Sequence, residues 1–222
     1  MVLTLGIDEA GRGPCVGSMF IVGTMFEENK LKILAKIGVK DSKMLTHEKR
    51  IKLDKKIREL AVSIKIIKVE PKEIDEAVSG ESELNLNWLE AIKQAEIINE
   101  LKPDRVVIDC PSPNIKAYTS FLKKHIRAEL LGKIDFIIEH KADQNFLECS
   151  SASIVAKVMR NQEVSDLEKK YGITIGSGYP ADPITQKFLK ENYNNYPNIF
   201  RKTWSSFKRL GKKEGQKSLS EF

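Results

Sequence analysis

Residues 2–26 read V-L-T-L-G-I-D-E-A-G-R-G-P-C-V-G-S-M-F-I-V-G-T-M-F. Val2–Ile7 is apolar and extended, Gly11-Arg12-Gly13-Pro14 has the composition of a tight turn, and Ser18–Phe26 is again apolar and β-rich. The stretch therefore predicts strand, turn, strand. Its acidic pair, Asp8-Glu9, sits inside an apolar β run, where a carboxylate is costly unless something offsets it.

Working outward, the pattern predicts a helix over Glu28–Lys36 and a second helix capped by Thr46 and running through Ala61. Ser63–Val69 reads as a strand ended by Glu70-Pro71. Leu84, Trp88, Ala91, Ala95 and Ile98 recur at helical spacing, which predicts an amphipathic helix over Leu84–Leu101. Arg105–Ile108 has a wholly apolar core, as in a central strand covered on both faces. A helix near Asn114–Ile126, a strand at Ile134–Glu139, a long helix over Cys149–Tyr171 and a shorter one over Ile184–Glu191 complete the reading. Hairpin strands followed by strands alternating with helices predict an α/β fold, with a mixed five-stranded sheet flanked by helices.

At 222 residues with 41% hydrophobic content, the chain has material for one sizeable core, which excludes general disorder. No apolar run approaches the length of a membrane span, so no membrane partner is expected. The N-terminus lacks the features of a secretory signal. Cys15, Cys110 and Cys149 are far apart and form no C-x-x-C pair. That excludes a disulfide scaffold and a zinc ribbon and fits a reducing, cytoplasmic location. The formal charge of +6 fits a polyanionic partner, and equally a Lys-rich solvated surface.

Three apolar strands deliver acidic residues: Asp8-Glu9, Asp109, and Asp143 shortly after the Ile134–Glu139 strand. Divalent Mg²⁺ or Mn²⁺ is the simplest compensator, since hard cations prefer carboxylate oxygen. Four carboxylates at adjacent strand tips suit two such ions and the attack of water on a phosphodiester. Asp109 and Asp143 also fit turn or helix-cap positions. Alternation sends Asp8 and Glu9 to opposite faces of an ideal strand, so either the strand bends there or Glu9 reaches the site from its edge.

A resemblance now emerges from an ordered set of motifs. These are G-I-D-E-A-G-R-G-P at 6–14, D-S-K at 41–43, V-I-D at 107–109, H-K-A-D at 140–143, S-S-A-S-I-V-A-K-V at 150–158, G-S-G-Y-P-A-D-P at 176–183 and R-K-T-W at 201–204. Together they resemble the type 2 ribonucleases H, ribonuclease HII, of archaeal type, over nearly the whole chain. The first block is highly specific; the shorter ones count as an ordered set. The resemblance implies a ribonuclease H-like catalytic domain over 1–180, a short helical extension over 181–210 and a flexible tail over 211–222. It implies hydrolysis of the RNA strand of RNA/DNA hybrids and incision of duplex DNA on the 5′ side of a single embedded ribonucleotide. The products would carry a 3′-hydroxyl and a 5′-phosphate, placing the activity in replication and ribonucleotide excision repair.

By the same resemblance Asp8, Glu9, Asp109 and Asp143 match the catalytic, metal-binding carboxylates of the family. Gly11, Arg12 and Gly13 match the turn that reads the ribose 2′-hydroxyl, and Tyr179 matches the tyrosine that packs on the sugar at the RNA–DNA junction. The physics agrees, because the 2′-hydroxyl is the group that separates RNA from DNA at a site. Lys43, Ser151 and Ser153 match positions near substrate phosphates; small serines at a helix start also suit close helix packing. Ala181 and L-E-C-S-S at 147–151 depart from the family pattern without touching the carboxylates. Trp204 and Phe207 read as packing residues. The rival readings are another metal nuclease on this fold, such as a junction resolvase, and a non-catalytic hybrid-binding module. The glycine turn and Tyr179 argue against the first, the full set of carboxylates against the second.

Gln216, Leu219 and Phe222 form Q-x-x-L-x-x-F, which resembles the peptide by which replication and repair proteins engage a sliding clamp. A single aromatic follows the leucine, which weakens the expected binding. No apolar stripe is left over for self-association, so a monomer is expected.

Overall fold

The computed structural model describes residues 2–40, 45–80 and 84–209. The chain divides into two compact units interleaved in sequence. The first gathers the chain up to Ala10, Phe20–Lys68 and Leu86–Met159; the second gathers Gly11–Met19, Val69–Asn85 and the chain from Arg160 onward.

The first unit is built on five strands: β1 (Leu3–Ala10), β2 (Met19–Glu27), β3 (Ser63–Val69), β4 (Arg105–Asp109) and β5 (Asp135–Glu139). They form one mixed sheet in the order β3-β2-β1-β4-β5. β1 pairs antiparallel with β2, while β1/β4 and β4/β5 are parallel. Val106, Val107 and Ile108 are fully buried, as the uninterrupted apolar run of β4 requires. The helices here are α1 (Leu31–Lys36), preceded by a 3-10 turn, α2 (His47–Leu60), α4 (Leu86–Leu101), α5 (Ile115–Lys124), the four-residue α6 (Ala128–Leu131) and α7 (Ala142–Asn145), and the first part of α8 (Leu147–Tyr171). Thr46 caps α2 by accepting from the Lys49 amide, and Asn114 caps α5 by accepting from that of Ala117.

Gly6 lets the start of α8 lie directly against β1. A Cβ there would collide with the backbone of Glu148 and Cys149. Thr4 Oγ1 donates to Glu148 Oε1 at 2.9 Å, and Thr24 Oγ1 donates to the Glu148 carbonyl at 2.9 Å, fixing the contact. The small residues Ala152 and Ala156 then pack with Val22, Phe26, Leu34 and Ile57 in the main core.

The second unit holds α3 (Pro71–Val78), the remainder of α8, and α9 (Pro183–Asn192). Its core joins Cys15 and Val16 with Val164, Ile175, Phe188, Leu189, Ile199 and Phe200. Asp182 caps α9, accepting from the amides of Ile184 at 2.9 Å and Ser177 at 2.6 Å. Its bonds to Ser177 are the main cause that lowers its carboxyl to about 2.

The strand expected over Ser63–Val69 is β3 and ends before Glu70-Pro71 as the pattern requires; Pro71 in addition opens α3. Proline suits the first helical position, where its missing N–H would have no intrahelical partner. Among the described residues no helix is long and apolar enough to cross a membrane.

Candidate metal centre

β1, β4 and β5 run parallel, so their carboxyl ends share one edge of the sheet. The last β1/β4 pair is Ile7 with Ile108, which sets Asp8 and Asp109 side by side just beyond it. Asp109 is in turn paired with Glu139 at the end of β5. The chain then turns through Lys141, which adopts the left-handed conformation at φ 60° and whose amide donates to Asp109 Oδ1 at 2.8 Å. That turn starts α7 and carries Asp143 back to the same edge. One carboxylate oxygen from each of Asp8, Asp109 and Asp143 lies within 4.8 Å of the others. Asp8 and Asp143 are buried and Asp109 is half-buried. Ligands outside the carboxyl ends of parallel strands are the rule for sheets of this kind.

Asp8 records the cost of this crowding. Burial, with the nearby charge of Asp109 adding to it, raises its carboxyl from 3.8 to about 7. The Ser153 hydroxyl, the charge of Lys157 and the Glu9 amide, 2.7 Å from Asp8 Oδ1, pull the other way. Lys157 Nζ donates to Ser153 Oγ at 2.8 Å, so helix α8 supplies a lysine–serine pair behind the carboxylate. Cys149 forms part of the same surroundings, its Sγ 3.3 Å from the Ile7 carbonyl. Burial first, then the charges of the three aspartates, pushes its thiol well above the usual range. An all-oxygen donor set of three close carboxylates, two of them buried, fits a hard divalent cation.

The other expected residues fall in different places. Glu9 follows Asp8 on a strand that stays regularly paired through Ala10 with Phe20, and it is not one of the three clustered acids. It is half-buried, and its charge contributes with that of Asp109 to raising the Cys110 thiol, a shift caused first by burial. Ser151 and Ser153 are fully buried. The Ser151 hydroxyl bonds the Leu147 carbonyl at 2.8 Å and Ser153 serves Asp8, so both hydroxyls are engaged within the protein. His140 Nδ1 lies 3.1 Å from the Cys110 carbonyl. Lys43, Gln216, Leu219 and Phe222 lie outside the described residues.

Gly11, Arg12, Gly13 and Tyr179 come together in the second unit. Gly11 has φ +89°, and a Cβ there would sit 2.7 Å from the Ser18 carbonyl oxygen. Gly13 is in close contact with the ring of Tyr179, 3.2 Å separating Cε1 from where a Cβ would be. Tyr179 is 43% exposed, open to a ligand. Arg160, which sequence reasoning did not single out, lies with its guanidinium 5.1 Å from the Tyr179 ring centroid and donates to the Ser177 carbonyl. Glu163 holds the far end of the turn, accepting from Ser18 N at 2.8 Å and Ser18 Oγ at 2.6 Å. Both residues lie in the polar second half of α8, where nothing in the local pattern separates them from solvated charge.

Comparison with known proteins gives a consistent result. The family model described as Ribonuclease HII matches residues 5–207. Ribonuclease HII of Methanothermobacter thermautotrophicus is 42% identical over 205 residues, covering 91% of this chain and 96% of that protein. Among solved structures, ribonuclease H2 from Pyrococcus horikoshii aligns with a TM-score of 0.84 at 37% identity, covering 95% of this chain and 98% of that one. A chain of the PCNA:RNase HII complex from Archaeoglobus fulgidus aligns with a TM-score of 0.79 at 33% identity, covering 92% of this chain and 96% of that one. The mixed five-stranded sheet with flanking helices is the ribonuclease H-like fold. The chain therefore belongs to the ribonuclease HII family of endoribonucleases.

Proposed function

We propose that this chain hydrolyses the RNA strand of RNA/DNA hybrids and incises duplex DNA on the 5′ side of single embedded ribonucleotides, leaving a 3′-hydroxyl and a 5′-phosphate. The observation that carries the reading is the carboxylate cluster of Asp8, Asp109 and Asp143 at the ends of parallel strands in a chain of this family. Asp8, Glu9, Asp109 and Asp143 would hold two divalent cations, Mg²⁺ or Mn²⁺. Such ions supply Lewis-acid polarisation of the scissile phosphate and activation of water.

The protein's own groups do the rest. Ser153 and Lys157 favour the ionised form of Asp8. The Lys141 amide orients Asp109. Arg12 and Lys43 meet substrate phosphates as charge-assisted donors, while Ser151 and Ser153 support the site from within. The Gly11–Gly13 turn and Tyr179 read the ribose: the turn offers backbone donors, and the exposed phenol offers a packing face and a hydroxyl. The catalytic domain takes in 1–180, with 181–210 as a helical extension. The tail residues Gln216, Leu219 and Phe222 engage a sliding clamp, a reading supported by the Archaeoglobus relative, whose structure is a complex with PCNA. The enzyme acts as a cytoplasmic monomer in replication and ribonucleotide removal.

The test is cleavage of a DNA duplex carrying one ribonucleotide, with Mg²⁺ or Mn²⁺, beside an all-DNA duplex. Incision confined to the 5′ side of the ribonucleotide is expected. Equal cleavage of both duplexes would overturn the 2′-hydroxyl reading in favour of a resolvase-like activity. Binding without cleavage would make the protein a binding module.

A further inference from the structure

The Gly11–Gly13 turn is shaped from behind by two residues near the far end of the chain. Arg201 is fully buried. Its Nη2 donates to the Gly11 carbonyl at 2.5 Å, its Nη1 to the Arg12 carbonyl at 2.9 Å, and its Nε to the Gly17 carbonyl at 3.0 Å. Its backbone amide bonds the Cys15 carbonyl at 3.0 Å. Trp204 adds a fourth side-chain donor, Nε1, 3.2 Å from the Gly13 carbonyl. The Arg201 guanidinium lies 5.1 Å from the Trp204 ring centroid, so the two donors brace one another.

Three consecutive carbonyls, those of Gly11, Arg12 and Gly13, therefore all accept from this pair. A trans peptide points its N–H opposite to its C=O. Fixing the Gly11 and Arg12 carbonyls consequently turns the N–H groups of Arg12 and Gly13 away from Arg201. The third peptide contributes no donor, because its nitrogen belongs to Pro14. What emerges is a pair of neighbouring N–H donors whose direction is set by a buried guanidinium. A hairpin turn closed only by its own backbone bonds would set them less firmly.

We propose that Arg201 and Trp204 are positioning residues for ribose discrimination: by holding these carbonyls they aim the Arg12 and Gly13 amides at the 2′-hydroxyl, without themselves touching substrate. This rests on the proposed 2′-hydroxyl reading of the turn. It predicts that the pair governs the ratio of affinities for ribose and deoxyribose, and leaves general duplex affinity alone.

Trp204→Phe keeps an aromatic ring for Arg201 while removing the Nε1–H together with one ring of the indole, and the thermal midpoint reports any packing lost with it. Arg201→Lys keeps a charge but cannot reach three carbonyls in a fixed fork. The measurement is equilibrium binding, in EDTA, to a DNA duplex with one ribonucleotide and to the same duplex without it, beside the thermal midpoint of each variant. Trp204→Phe is expected to lower the affinity ratio about fivefold, the effect of one neutral hydrogen bond, with all-DNA binding and the midpoint near wild type. Arg201→Lys is expected to lower it further. An unchanged ratio in Trp204→Phe, or an equal loss of affinity for both duplexes, would overturn the proposal. A wild-type protein with no preference between the duplexes would instead overturn the 2′-hydroxyl reading on which it rests.

Discussion

Asp8 binds a proton more tightly in the folded protein than in the unfolded chain, because burial holds its carboxyl at about 7 against an ordinary 3.8. The stability contributed by that proton is full below 3.8 and is lost as pH rises through about 7. A cation must displace the same proton, so metal affinity should rise across this range. The Mn²⁺-induced increase in thermal midpoint should be small at about pH 6 and large at about pH 8, as scanning fluorimetry at fixed ionic strength will show. Asp8→Asn should flatten that dependence. It should also cut turnover by at least a hundredfold, more than the ~10–100-fold typical of outer-shell changes, while sparing much of the substrate affinity. A variant with near-wild-type turnover would remove Asp8 from the catalytic set.

At the scale of elements, the contact between β1 and the start of α8 is the most constrained in the first unit. Gly6→Ala places a methyl group against the Glu148–Cys149 backbone, which cannot yield as a side-chain end can. The substitution should cost more than about 2 kcal/mol, read as a lower urea midpoint at unchanged slope. Unaltered stability would mean that the helix start shifts freely. These elements were largely legible in the sequence, because β-rich apolar runs and helical spacing are local signals. Pro71 was legible as the end of β3 but not as the opening of α3, and α6 is too short to show a period. The acidic residues were legible as a set, since a carboxylate at the end of an apolar strand is an anomaly. Whether Glu9 reaches the site from the strand edge was open in the sequence; the ladder is regularly paired through Ala10, and Glu9 lies outside the three clustered acids. The sequence marks Arg201 only as the first residue of the R-K-T-W motif; its role could not be read, because it depends on partners 184 to 190 positions away.

For the whole molecule, the proposed clamp contact of Gln216, Leu219 and Phe222 has a direct test. Deleting 216–222 should leave cleavage of naked substrate unchanged and abolish capture by an archaeal or eukaryotic-type clamp. Undiminished capture of the truncated protein would place the clamp contact elsewhere. The interleaving of the two units also gives the chain an order of completion. Its sheet is finished once β5 and the start of α8 exist, but the second unit needs Gly11–Met19 together with residues near 200. During synthesis the turn after Asp8-Glu9-Ala10 must therefore wait, unbraced, until Arg201 clears the ribosome and reaches back across nearly the entire polypeptide. Chains released early could build the acidic strand tips yet would lack the shaped turn. Residues near 200 thus complete a turn whose own residues are translated 190 positions earlier.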